Sequence, residues 1–319
     1  MKSILKFKKT SYQQLVIVGV LLLIMAILSL ASPEFLTTVN LINVLRQIVS
    51  VVIAGCAVTL LMISGNFDLS IGSTMALAGT MTAIFVTQGI PLPAAILMSV
   101  LIGMVIGLIN GVFVIMLNVP SIIATLGTMY IMKGIAWVTT GGNSIHLGLG
   151  QDYTFLGRGF LGPFPLSILI AIFTFLVFYF IQSRTLLGKY TYAIGANRRT
   201  ALLSGINVYF YGVILYVLVG LLSAFSGVIM SSRLGVGSAS IGVGFEFDVI
   251  VAVVLGGTSL NGGEGSVLGT ITGALIVGFI ANGLNLMGIH SFYQDIVKGI
   301  VLVGAVLLDL TLKSKLSKT

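Results

Sequence analysis

The amino-acid sequence predicts an all-α membrane protein of about ten transmembrane helices, two of them broken or interrupted by glycine, with a weak internal repeat. Three observations carry that prediction. Hydrophobic residues make up 57% of the 319-residue chain and charged residues only 8%, against about a quarter charged in a soluble domain. Apolar runs recur from Leu15 to Asp309, each near the roughly 20 residues a helix needs to cross a bilayer. The runs are apolar on every side, as at 164–181, which excludes the alternating strands of a β-barrel and leaves helices to satisfy the backbone in lipid.

The first run, 15–31, follows Lys2, Lys6, Lys8 and Lys9, a layout shared by signal peptides and first membrane anchors. Its length and the lack of a small-x-small exit favour an anchor. Further runs lie at 49–64, 72–89, 94–117, 122–140, 164–182, 208–231, 267–287 and 293–310, making nine. A net charge of +8 would suggest nucleic acid as the partner of a soluble protein, but here the cations sit at the ends of apolar runs and read as topology signals, with no nucleic acid expected. Three segments hold 11 of the 16 cations: the N-terminus, the loop with Arg184, Lys189, Arg198 and Arg199, and the tail with Lys313, Lys315 and Lys318. The positive-inside rule puts all three in the cytoplasm, so the chain reads as one polytopic domain over 1–319, with cytoplasmic segments at 1–14, 183–207 and 311–319.

Six runs separate the first two basic segments, as two cytoplasmic ends require, but only three separate the second from the third. A further crossing must exist, and the stretch left for it is 245–263, a short apolar core at 249–255 followed by a glycine cluster. Glycine-interrupted segments of this kind are pointers to a translocation path, because unwound backbone is tolerated in a membrane only where protein or a water-lined cavity satisfies it. A second break, GNFDLSIG at 65–72, lies in the first half. Each break precedes a span rich in small residues, the basis for a degenerate repeat.

Several polar residues at these places are candidates for function. Asp68, with Ser70 and Ser73 beside it, reads either as the cap of a helix opening at Ile71 or as a group in contact with substrate. Asn110, Asn282 and Asn285 lie within spans, where an amide lines a polar path or binds two helices together. Gly103, Gly107 and Gly111, and likewise Gly265, Gly269 and Gly273, form small-x-x-x-small ladders for close packing within one chain or across a dimer. Lys133 sits inside a span, and Asp295 and Lys298 are spaced for an ion pair on one helix face, a proton or sodium relay being the sharper alternative.

In the basic loop, Asn197 suits an N-cap and Gly205 a C′ position, which predicts a short helix over 198–204 carrying Ala201. Such a helix would rest on anionic lipid or dock a cytoplasmic partner. No GxxxxGK[ST] phosphate loop occurs, and His146, His290 and the single Cys56 form no metal or catalytic pattern. The outward loop at 141–162 is too short for a ligand-binding domain. Catalytic and metal sites are therefore not expected, and both energy and recognition should come from other chains.

The strings SGNFDLSIGSTMALAG from Ser64, ATLGTMYIMKGIAWVTTGG from Ala124, GKYTYAIGANRRTALLSGINV from Gly188, VVLGGTSLNGGEGSVLGT from Val253, and ANGLNLMGI with YQDIVKGIVLV near the end carry a resemblance. They resemble the permease subunits of bacterial ABC importers of the ribose and simple-sugar type, over nearly the whole chain. The resemblance implies an inner-membrane subunit that pairs with a second copy or a paralogue, receives a monosaccharide from an external solute-binding protein, and docks cytoplasmic ATPase subunits on the loop with Asn197, Arg198, Arg199, Ala201 and Gly205. ATP and magnesium would bind the ATPase, leaving no cofactor on this chain, whose other contact is membrane lipid. The chain departs from the usual pattern in three places: Arg198 and Arg199 stand where acidic groups are common, Glu264 replaces an arginine, and Phe67 replaces a small aliphatic residue. An autoinducer-type furanose, a nucleoside-like ligand, or an ion-coupled carrier are the alternative readings.

Overall fold

The computed structural model describes residues 2–146 and 151–290, together with 293, 294, 296, 297, 299, 300, 303 and 304. Asp295, Lys298 and the tail 311–319 lie outside the described residues, and the span expected at 293–310 is described only in part. Among the described residues, six helices are long and apolar enough to cross a membrane. The chain is mostly helical and multi-pass.

Helix α1, Lys2–Ala31, contains the first run in its C-terminal half. Pro33 and a short turn lead to α2, Thr38–Ile63, whose N-cap Thr37 accepts a hydrogen bond from Asn40 N. From Ile48 to Ile63 nearly every residue of α2 is buried, so this helix forms the centre of the hydrophobic core. Helices α3, Ile71–Thr87, and α4, Leu92–Gly111, follow, and α4 runs on into a π-helical turn, Val112–Met116. Helix α5, Ser121–Thr140, touches the rest of the molecule mainly through α3 and keeps most of its surface exposed.

The loop at 141–162, expected to face outward, is more structured than its sequence suggests. Strand β1, Ile145–His146, leads to α6, Gln151–Arg158, and a small hairpin of β2, Phe160–Leu161, with β3, Phe164–Pro165. Burial against α10 pushes the Tyr153 phenol up to about 12, so it stays a donor to Ser231 Oγ at 2.7 Å. Helix α7, Leu166–Arg184, then enters the basic loop, which holds two helices rather than the single one expected: α8, Leu186–Ala196, and α9, Arg198–Leu203. Helix α10, Val208–Leu234, packs most extensively on α4, α3 and α2. Gly103 on α4 meets Gly220 on α10 so closely that a Cβ on either would overlap the other's carbonyl. The glycine ladder of α4 therefore serves packing within the chain.

After α10 the chain does not continue as a long helix. Strand β4, Val236–Gly237, pairs antiparallel with β1. The following residues run along α3 without helical structure, Gly237 against Thr80 and Ala83, and Gly242 against Gly72. Helix α11, Phe245–Leu255, starts at Gly244, which has a φ of +80°. A glycine-rich loop then reaches Ile63, whose carbonyl accepts a hydrogen bond from Gly263 N at 2.8 Å. Helix α12, Val267–Leu286, closes on α11 and α2, with Gly269 and Gly273 against Gly256 and Ala252. Thus the stretch at 236–263 passes from the end of the molecule where α6 sits to the end where α8 sits, as a short helix flanked by two irregular segments.

Candidate functional site

The break between α2 and α3 folds around Asp68. Its Oδ1 accepts hydrogen bonds from Ser70 N at 2.8 Å and from Ser70 Oγ at 2.6 Å, and its Oδ2 accepts one from Asn110 Nδ2 at 3.1 Å. Asn110 Nδ2 also donates to Ser70 Oγ at 2.9 Å. The neighbouring backbone is held by two other helices: Leu69 N donates to Thr125 Oγ1 of α5, and the Tyr216 hydroxyl of α10 donates to the Phe67 carbonyl at 3.0 Å. Asp68, Ser70 and Asn110 are thus brought together, and all are buried, Asp68 at 2% exposure and Asn110 at 0%. Ser70 is the N-cap residue of α3 without a side-chain cap bond, so Asp68 anchors the residue that opens the helix rather than the first turn itself.

The other two amides stand elsewhere. Asn282 and Asn40 exchange hydrogen bonds at 2.9 and 2.8 Å, which ties α12 to α2, and Asn40 also donates to the carbonyl of Phe35, whose ring meets Phe279. Asn285 accepts from Gln294 at 2.7 Å at an exposed position. Neither joins the Asp68 cluster.

In the basic loop, Asn197 Oδ1 accepts from Thr200 N at 2.9 Å, and Gly205, with a φ of +82°, ends α9 with Ile206 N donating to the Ala201 carbonyl. This is the predicted cap and C′ arrangement. Ala201 is buried, Leu203 is 82% exposed, and Arg199 is exposed, so α9 rests on one face and offers the other. Arg198 is partly engaged within the chain, donating to the Ile115 carbonyl and lying 5.8 Å over the Tyr209 ring.

Helix α8, which sequence reasoning missed, links this surface to both breaks. Its Gly195 lies so close to the chain that a Cβ there would overlap the Ile63 carbonyl and press on Gly263 N. The Tyr192 hydroxyl donates to the Gly265 carbonyl at 2.6 Å and accepts from Gln182 Nε2 at 2.8 Å, while Gln182 Oε1 accepts from Val267 N. Tyr192 and Gly195 belong to the string GKYTYAIGANRR, but no local signal marks them, because the backbone they meet at Ile63, Gly263 and Gly265 is more than 65 residues away.

A second acidic group stands where the irregular crossing meets α3. Glu246, in the first turn of α11, places its carboxylate where a Cβ on Gly72 would stand, at the first turn of α3. Lys133 is exposed and close to the midpoint of α5, where a lysine facing lipid would cost about 3 kcal/mol. By contrast, the groove between α2, α7 and α12 is lined only by apolar side chains such as Val49, Ala171, Phe175 and Leu275 and offers a polar solute no hydrogen bond. No cluster of metal-ligating side chains occurs among the described residues.

Comparison with known proteins gives this geometry a setting. The profile of the family described as "Branched-chain amino acid transport system / permease component" matches residues 40–306. The ribose import permease protein of Bacillus subtilis (strain 168) is 42% identical over 91% of this chain and 90% of its own length. The ribose import permease protein of Escherichia coli (strain K12) is 40% identical over 91% of each chain, and the D-allose transport system permease protein of the same organism is 35% identical over 91% of this chain and 89% of its own.

Proposed function

The chain belongs to the family of ABC-importer permeases that includes the ribose permeases, and we propose that it forms the membrane path through which a monosaccharide, ribose or another pentose or hexose, enters the cell. Similarity to sugar permeases along nine-tenths of both chains carries this reading of the substrate. The family's general description mentions branched-chain amino acids; the individual relatives, being nearer in sequence, are the better guide to the solute.

In this reading the end with α8 and α9 is cytoplasmic, the end with α6 faces outward, and the crossing at 236–263 supplies the tenth passage that the charge distribution requires. Two copies, or one copy and a paralogue, enclose the path in the inner membrane. ATP and magnesium bind the ATPase partners, and a binding protein delivers solute from outside. The two breaks, which meet through Gly263 and Ile63, are the two halves of the degenerate repeat.

The exposed side of α9, with Arg199 and Leu203, is where an ATPase docks. The helix is firmly capped, and α8 joins it to both breaks, so displacement at the docking surface moves the backbone around Asp68 and Gly263 together. The ATPase surface facing Arg199 carries complementary acidic groups.

The test is reconstitution with the ATPase and binding-protein subunits, measuring ATP-dependent uptake against a panel of monosaccharides, a furanose signal and a nucleoside. Uptake of a pentose or hexose that requires the ATPase is the expected result. Gradient-driven uptake by the chain alone would replace this reading with an ion-coupled carrier. In the same preparation, replacing Arg198 and Arg199 by glutamate should reduce ATPase co-purification without reducing membrane insertion.

A further inference from the structure

Three arginines close a ring at the end of the molecule where α6 sits. Arg46 Nη2 donates to the Arg158 carbonyl at 3.4 Å, Arg158 Nε and Nη2 donate to the carbonyls of Arg233 at 2.6 Å and Leu234 at 2.9 Å, and Arg233 Nη1 donates to the Arg46 carbonyl at 3.1 Å. The bonds of Arg158 satisfy the last carbonyls of α10, so a structural task accounts for that residue. Arg46 and Arg233 have donors to spare. Each makes one of these bonds, both are half-buried, and Arg46 Nε is buried without a partner. The acceptors in the ring are all neutral carbonyls. The segments that meet here, 32–63, 141–165 and 208–244, hold three cations and two acids, Glu34 and Asp152. Glu34 accepts from Ser32 Oγ at 3.3 Å in the turn before α2, and Asp152 precedes Arg158 by six residues on α6. The ring is left with a positive excess.

That ring adjoins the apolar groove between α2, α7 and α12. Leu45, Ile48 and Val49 line the groove from α2, and Arg46 follows Leu45 directly and lies one turn before Val49. The Arg46 guanidinium carbon sits 4.6 Å from the ring centroid of Phe160, in the hairpin that leads straight into α7, whose Ala171 and Phe175 form another wall. In that hairpin Phe160, Leu161 and Phe164 are 52%, 62% and 60% exposed. Three large apolar side chains together are disfavoured by water and suit the boundary of a bilayer. Arg46 stands 17 residues before the end of α2 at Ile63, about 25 Å along the helix axis, against a hydrocarbon core about 30 Å thick. A guanidinium at that depth leans towards the helix N-terminus and reaches headgroup level. A cationic end beside an apolar groove matches the two parts of an anionic lipid. An acidic protein would instead call for cations on a surface bordered by water.

We propose that Arg46 and Arg233 bind the phosphate of an anionic phospholipid whose acyl chain lies in the groove between α2, α7 and α12, with Arg158 and Phe160 as positioning residues. Basic pockets between membrane helices take such headgroups, and the planar guanidinium fork fits phosphate oxygens in pairs. The site stands on this chain's geometry and does not depend on which solute is carried. Only the leaflet rests on the importer reading, in which the α6 end faces outward.

The test uses the full chain in symmetric lipid vesicles. Trp137 is the single tryptophan, so in a Trp137→Phe background Ile172→Trp puts one indole on the groove, and Phe173→Trp puts one on the neighbouring exposed face of α7. Fluorescence quenching by phosphatidylglycerol with brominated acyl chains, compared with brominated phosphatidylcholine, reads the relative affinity at each position. The groove position should prefer phosphatidylglycerol about fivefold, equivalent to about 1 kcal/mol, and the Phe173 position should show no preference. No preference at the groove, or the same preference at both positions, would overturn the proposal. Adding Arg46→Gln and Arg233→Gln together should abolish the groove preference while quenching by phosphatidylcholine is unchanged; a preference that survives removes the arginines from their role. Should that double variant fail to insert, Arg46→Gln alone, which breaks only the 3.4 Å bond to Arg158, decides the same point. Excess inorganic phosphate should leave the preference in place, and its loss would reassign the ring to a free anion. Loss of the preference on adding the purified solute-binding protein would likewise reassign the ring to an acidic protein partner. None of these readings requires transport, so failure of the importer reading in the uptake assay is separate from failure of the lipid site.

Discussion

The two breaks in this molecule each place an acidic residue at the start of a helix, yet they treat it in opposite ways. At the first, Asp68 accepts three hydrogen bonds from neutral donors and is sealed by α4, α5 and α10. At the second, Glu246 is tucked against Gly72, but its sequence neighbour Phe247 is 53% exposed. A fully satisfied polar cluster in a low-dielectric interior rigidifies the backbone that carries it. The first break is thus built as a sealed joint, and the second borders exposed surface.

The strongest challenge to that contrast is the glycine that touches both breaks. Gly195→Val should abolish monodisperse assembly or lower stability by more than about 3 kcal/mol, since the clash is with main-chain atoms that cannot rotate aside. Size-exclusion profiles and thermal melting would show it, and a well-behaved variant would mean that α8 does not brace the breaks. Next in size, Asp68→Ala strands donors on Ser70 and Asn110 and should remove about 3 kcal/mol, with Asp68→Asn milder. Glu246→Gln should barely move the melting temperature. If instead Asp68→Ala leaves melting unchanged and stops uptake, the roles of the two breaks are reversed.

A smaller effect concerns the helix pairing outside both breaks. A double-mutant cycle on Asn40 and Asn282 should give a coupling of about 0.6–1.7 kcal/mol, the range for hydrogen bonds between membrane helices. No coupling would mean that each amide finds another partner. Smallest of all, Asn285→Ala should change stability by less than about 0.5 kcal/mol, because its bond to Gln294 is exposed. A pronounced loss of uptake in that variant would bring Asn285 back as a path residue.

Much of the scaffold was legible because its signals are local. Helix α9 begins at Arg198, after an asparagine cap and before a glycine at positive φ, one residue shorter than expected at its C-terminal end. The short helix at Phe245–Leu255 lies where charge parity demanded one more crossing. The candidate site was legible in part: Asp68, Ser70 and Asn110 do meet, although 40 residues separate Ser70 from Asn110. Helix α8 was hidden among the polar residues of the loop, and the antiparallel pairing of β1 with β4 offered no pattern in two residues each.

Composition, apolar run length and the placement of cations were enough to establish a multi-pass helical membrane protein, since the cost of burying charge and unpaired backbone in lipid acts on each segment separately. Which polar residues seal a joint and which remain open depends on what distant segments bring to them. Asp68 is enclosed because Asn110, Thr125 and Tyr216 converge on its loop. Glu246 meets the start of α3 because the irregular stretch before α11 is laid against that helix, and small residues such as Gly72 allow that approach. Those contacts depend on packing in three dimensions, and hydropathy along the chain does not register them.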